Sequence, residues 1–188
     1  MLISYSETPL VLDAAGALKV THFHGRSARD EIYSYFRAVV RGGDLVFSLT
    51  SFEQHPPRES RMGAAFCFAP AGGTYLFVST NSLPQAEAYL CAPAAQGRDR
   101  RTESVALPAP VLFGGSDEQG FYWGCEFVLE KQLLADRFGA ALVPGSVFTG
   151  NIYKYAAGED AFGAAFPTPP ALGLPCQAGF GEFVVVPY

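Results

Sequence analysis

Apolar residues recur at every second position through much of this chain, in short runs broken by Gly and Pro. Leu45, Phe47 and Leu49 alternate with Val46, Ser48 and Thr50. That period of two describes an extended strand with one covered face and one more polar face. Segments 32–40 and 45–52 flank Arg41-Gly42-Gly43-Asp44. Glycine reaches positive φ without a Cβ clash, so a hairpin turn is predicted there. A second strand pair is predicted over 63–69 and 74–80, around Pro70-Ala71-Gly72-Gly73. Further strands are predicted over 121–129, 146–155 and 180–187. The one predicted helix runs from Glu130 to Phe138, where Leu134 and Phe138 share a face. Gly139 stands where a left-handed C-cap belongs. Ser27 and Asp30 imitate a capping box, but the β-branched and aromatic residues after Glu31 favour a strand over 27–36. Segments 58–61 and 92–102 read as polar connections.

Composition supports this pattern. The 20 glycines and 14 prolines fall between the apolar runs, as a many-stranded antiparallel fold requires. No linker interrupts the patterning from Leu10 to Val186. The expectation is an all-β protein: an antiparallel β-sandwich, jelly-roll-like, with one short helix. Its 188 residues suffice for one sizeable core, so residues 1–188 are expected to form a single domain.

A formal net charge of −5 argues against a nucleic-acid partner, which needs a concentrated basic face. Arg98, Arg100 and Arg101 form the one basic run, and it reads as a solvated loop. No apolar run approaches the roughly 20 residues that span a bilayer, and residues 1–13 lack the features of a secretory signal. Cys67, Cys91, Cys125 and Cys176 form no CxxC pair and no zinc spacing. They read as reduced thiols of a cytoplasmic protein.

Catalytic chemistry finds little support. None of His22, His24 and His55 sits in a nucleophile motif. His22 and His24 share a face if extended, but no acidic or His element with ligand spacing accompanies them. Glu53, Glu126, Glu159 and Glu182 are the candidate carboxylates for glycoside hydrolysis, without a motif to join them. Gly42-Gly43, Gly72-Gly73 and Gly114-Gly115 are dyads that turn a chain rather than cradle phosphate. Sugar binding asks for exposed aromatics beside polar side chains. Tyr153 beside Asn151 and Lys154, and Trp123 beside Tyr122, meet that description.

Several segments, in order, resemble the short single-domain proteins of the family 9-like carbohydrate-binding group, β-sandwiches related to a module of some xylanases. Residues 45–58 resemble its strand and acidic loop with Glu followed by Pro-Arg. Residues 74–81 resemble a strand ending in Glu-x-Asn, and 122–134 a Trp-x-x-Glu strand running into a short helix. Residues 150–154 resemble a Gly-Asn-Phe-Tyr-Lys segment, and 179–183 the closing Phe-Gly-Glu strand. The chain departs from the group at Met62-Gly63-Ala64-Ala65-Phe66, which lacks an Asp and a Glu, at Ser79 in place of Glu, and at Ala161-Phe162-Gly163-Ala164-Ala165 in place of His-Tyr-Gly-Ser-Trp.

The resemblance implies a non-catalytic carbohydrate-binding protein with a small saccharide or sugar acid as ligand. Its implied site residues are Glu53, Arg58, Asn81, Trp123, Asn151, Tyr153 and Lys154. Trp123 or Tyr153 would stack on a ring, and the others would address hydroxyls or a carboxylate. No cofactor is expected, and calcium, which wants six or more oxygen ligands, is disfavoured by the missing carboxylates. One alternative is a relative that has lost the sugar site and binds a protein partner or itself through residues 161–165 and the loop at 167–175. A glycan-active enzyme using two carboxylates is the second.

Overall fold

A computed structural model describes residues 1–25, 32–53, 60–69, 73–83, 85–94, 98–118, 120–156 and 161–188. Arg58, His55, Glu159, the 27–30 capping-box imitation and the 70–72 turn lie outside the described residues. In chain order the elements are β1 (Leu2–Ser6), β2 (Leu18–Lys19), β3 (His22–His24), β4 (Ile32–Arg41), β5 (Asp44–Glu53), β6 (Ser60–Cys67), β7 (Tyr75–Asn81), β8 (Ala86–Ala92), β9 (Arg100–Ser104), β10 (Val111–Asp117), β11 (Gly120–Leu129), α1 (Lys131–Phe138), β12 (Val147–Ala156), β13 (Phe162–Ala164) and β14 (Gly181–Pro187).

The hydrogen-bonded path runs β10-β11-β5-β4-β1-β14-β12-β6-β7-β8-β9 and does not close. It doubles back on itself as an all-β sandwich. A front layer of β10, β11, β5 and β4 faces a back layer of β12, β6, β7, β8 and β9, with β1 and β14 joining them. Between the layers lies an aromatic core: Phe36, Phe47, Phe66, Phe127, Phe148 and Phe183 are all essentially excluded from water. The Phe47 and Phe66 rings meet edge-on at 5.3 Å, and Phe148 and Phe183 stack at 5.2 Å. Edge-on and offset contacts suit the ring quadrupoles and add to the area they bury.

The predicted hairpin is present: β4 pairs antiparallel with β5, and Gly42 and Gly43 both have positive φ, 54° and 97°. Two adjacent positive φ values match the twist of the flanking strands. The expected polar face of β5 is covered instead. Val46 packs with Val39, Leu10 and Leu12 in a separate cluster, because the segment after β1 lies over that face. Gly139 ends α1 with φ 60°, as its position predicts. The sheet is antiparallel except at β1, which pairs in parallel with both β14 and β4.

Two segments read as connections are strands. Arg61 is in β6, and residues 100–104 form β9, whose five residues are all exposed. A charged, solvated edge strand carries no apolar alternation, and such charge is what keeps an edge from pairing with other chains. The 161–165 stretch also differs from expectation. Phe162, Ala164 and Ala165 are buried, and β13 pairs with both β12 and β3, so these alanines are interior rather than a contact patch. No helix among the described residues is long and apolar enough to cross a membrane.

Candidate functional site

Six of the seven expected site residues are described, and none is more than 4% exposed. Their burial changes their roles. Glu53, at the end of β5, accepts hydrogen bonds from Trp123 Nε1 at 2.9 Å, Ser51 Oγ at 2.9 Å and Ser60 Oγ at 2.8 Å. Lys154 Nζ stands 3.1 Å from the same carboxylate and also donates to Ser60 Oγ. Ser34 extends the chain through Ser51 at 2.8 Å. Front-layer β5 and β11 are thereby joined to back-layer β6 and β12 by a paired charge. Held by these donors and only 2% exposed, Glu53 is placed as a buried structural charge rather than toward an open site.

Asn151 and Tyr153 work on the other side of β12. Asn151 Nδ2 lies within hydrogen-bonding distance of the Phe166, Thr168 and Gly179 oxygens, and Oδ1 accepts from the Ile152 and Phe166 amides. Tyr153 donates to the Cys176 carbonyl at 3.2 Å, and burial raises its phenol above the usual range. Both fully buried side chains hold the 166–179 segment in place, so ring stacking by Tyr153 is not offered by this arrangement. Asn81 exchanges two hydrogen bonds of 3.0 Å with Gln85. Asn81 and Trp123 border a hollow of about 290 Å³ lined also by Ser82, Leu112, Phe113 and Phe121, and the side-chain polar atoms of Asn81 and Trp123 are already engaged.

A larger cleft, about 850 Å³, lies on the outer face of the back layer. Strand register dictates its floor. Tyr155 is opposite Arg61, Phe77 is opposite Tyr89, and Ser79 is opposite Glu87, so these side chains share one face. Gly63 leaves room for the Phe77 ring, since a Cβ there would stand 2.4 Å from Phe77 Cζ. Residues 170–175 and Phe162 form one wall. The segment entering β9 forms the other. There Asp99 accepts from Tyr75 Oη at 2.8 Å, the Gln177 amide at 2.9 Å and the Ala94 amide at 3.1 Å. That buried carboxylate ties the two walls together.

A β-bulge aims the cationic wall. Leu90 is opposite Glu103, but Cys91 is opposite Arg101, one residue out of step. An extra residue in one strand reverses the facing of everything beyond it. Without the bulge Arg101 would face away from Tyr89; with it, the guanidinium lies 3.7 Å from the Tyr89 ring centroid. A Cβ added at Gly173, whose φ is +68°, would stand 3.8 Å from the Arg98 side chain. Glu87 lies 3.6 Å from Arg101 and 3.9 Å from Arg61, ion pairs too long to be hydrogen bonds.

Sequence reasoning missed the cleft-lining Arg61, Tyr89, Arg98, Arg101 and Tyr155. The Arg98–Arg101 run was visible, but the bulge that turns Arg101 inward has no local signature. Elsewhere, His22 and His24 lie in β3, and no cluster of three or more His, Cys, Asp or Glu side chains occurs among the described residues.

No family profile and no curated protein matches the sequence. Solved structures do match. A candidate carbohydrate-binding protein from Bacteroides uniformis superposes with a TM-score of 0.70 at 12% identity, over 98% of each chain. A family 9 carbohydrate-binding module from Caldicellulosiruptor kristjanssonii, in complex with glucose, gives 0.63 at 11% identity over 100% of this chain and 96% of that one. The same module with cellotriose gives 0.62 at 10% identity, over 100% and 94%. At these identities the agreement is one of architecture, and the architecture of this chain is that of the family 9 carbohydrate-binding modules.

Proposed function

We propose that this chain is a non-catalytic carbohydrate-binding protein that holds a small saccharide in the cleft floored by Phe77, Tyr89 and Tyr155. The cleft itself carries the reading. Half-buried Tyr155 and hydrogen-bonding Arg and Glu converge in about 850 Å³, above the buried rings of Phe77 and Tyr89, and that volume is within the range of small-molecule sites. The matching architecture in a module holding glucose or cellotriose supports it. Four free cysteines support a reducing, cytoplasmic setting. The ligand is held by side chains without a metal or other cofactor.

Thermal unfolding with mono- and disaccharides at millimolar concentration, with and without EDTA, tests the proposal. A saturable rise in Tm that survives EDTA is expected, since ligand at 100 times Kd adds about 2.7 kcal/mol. Exposed Ala171 borders the cleft, so Ala171→Trp should fill it and abolish the shift. A cooperative melt with no shift across the panel, or an unchanged shift in Ala171→Trp, overturns the reading.

A second reading, an interaction module, draws on a different feature. Edge strand β10 exposes Val111, Leu112 and Phe113 at 64%, 46% and 39%, and consecutive exposed apolar residues on an open edge favour pairing with another chain. Light scattering over a concentration series separates the two, because a pure monomer with a working cleft excludes it.

A further inference from the structure

We infer that the cleft selects a saccharide bearing an anionic group, with Arg98 and Arg101 as the residues that read it; this rests on the carbohydrate-binding reading above. Charge is the first observation. The chain has 18 acidic and 13 basic residues, yet Arg98 and Arg101 line the cleft, where Glu87 is the one carboxylate among the described lining residues. Buried Asp99 sits behind the wall, its oxygens already taken by three donors. A local excess of positive charge in an acidic protein attracts anions specifically to that spot.

Geometry is the second. A guanidinium lying flat on an aromatic ring keeps its N–H groups in its own plane, directed outward at the ring's edge. Arg101 Cζ stands 3.7 Å from the Tyr89 ring centroid, close enough for such stacking. At 3.6 Å, Glu87 does not hydrogen bond to it, and 54% of the Arg101 side chain remains exposed. Arg98 is exposed and makes no ion pair among the described residues. The bulge that turns Arg101 into the cleft would serve no purpose for a site that needs only apolar contact. Two guanidinium groups lining one cleft fit a carboxylate or phosphate oxygen pair on a sugar ring, with the ring's C–H faces against Tyr155 and the Leu172–Leu174 wall.

Calorimetric titration at low salt with glucose, glucuronate, glucose 6-phosphate and inorganic phosphate tests this. At least one charged sugar should bind ten-fold or more tighter than glucose, and which one does so identifies the anion as carboxylate or phosphate. Raising salt should weaken that preference. Arg98→Ala and Arg101→Ala should each lower the charged sugar's affinity by about ten-fold, and that of glucose by clearly less. Arg101→Lys should not restore the preference, because an ammonium lacks the planar fork. Arg98 lies outside the strands, so its variant separates lost recognition from lost folding. Glucose binding as tightly as both charged sugars overturns the inference while leaving saccharide binding intact. Inorganic phosphate binding as tightly as the charged sugar also overturns it, since the site would then read an anion alone. Binding of none of the sugars overturns both this inference and the reading beneath it.

Discussion

Glu53 and Lys154 retain only 2% and 5% of their side-chain exposure, so each charge depends on the other and on the hydroxyls around them. Removing one member of such a pair strands its partner in low dielectric. Glu53→Gln or Lys154→Met should therefore cost about 3–5 kcal/mol in urea unfolding. The double variant should cost clearly less than the sum of the two, the sign of direct coupling; strict additivity would contradict it. Tyr153→Ala should likewise cost about 3–5 kcal/mol by emptying a core position. Saccharide binding should fall only as far as the 166–179 wall loosens. The motif containing Asn151, Tyr153 and Lys154 was visible as unusual in the sequence, and it is structurally demanding. Its inward facing was not visible, because a strand covered on both sides has no polar face to betray which residues are accessible.

At the level of elements, α1 takes its N-cap from outside itself. Glu130 makes no capping hydrogen bond through its side chain, but Asp44 Oδ1 accepts from the Lys131 amide at 2.8 Å. The β4–β5 hairpin thus satisfies one of the helix's free amides. Asp44→Ala should lower stability by about 1 kcal/mol, measured by chemical denaturation, whereas an unchanged midpoint would show that water replaces the cap. In β9, Thr102 is the extra residue, so deleting it should remove the bulge, keep Arg101 opposite Cys91 on the Tyr89 face and preserve the charged sugar's affinity; a defect like that of Arg101→Ala would contradict this register. The hairpin, α1, β11, β12 and β14 were legible because alternation, turn glycines and a C-cap act over a few residues. By contrast β8, β9 and β10 were not. Glu87, Arg100, Arg101 and Glu103 interrupt the pattern of β8 and β9, and Gly114-Gly115, read as a chain-turning dyad, lies inside β10 and pairs with Trp123 and Tyr122.

For the molecule as a whole, buried acids set the alkaline limit. Burial pushes the Cys91 thiol up to about 11 from 9.0, and also holds Tyr75, Tyr89 and Tyr153 above the phenol value of 10.0. Below about pH 9 these groups are protonated in both folded and unfolded chains, so their stabilising effect is complete. Above the ordinary value of each group, 9.0 for the thiol and 10.0 for the phenols, the unfolded chain ionises first, and stability falls by up to about 1.4 kcal/mol per pH unit per group. The urea midpoint should be lower at pH 10.5 than at pH 8, and equal midpoints would contradict the burial of these groups. The sandwich class could be read from composition and period, but the layer order could not, because β1 sits where no local rule would place it. That placement has a consequence for synthesis. Because β14 fills the slot between β1 and β12, Leu2 must wait for Val184 before the two halves of the sheet are joined. A nascent chain emerging from the ribosome would hold two open seams until β14 is released, the interval in which a holding chaperone has most to protect.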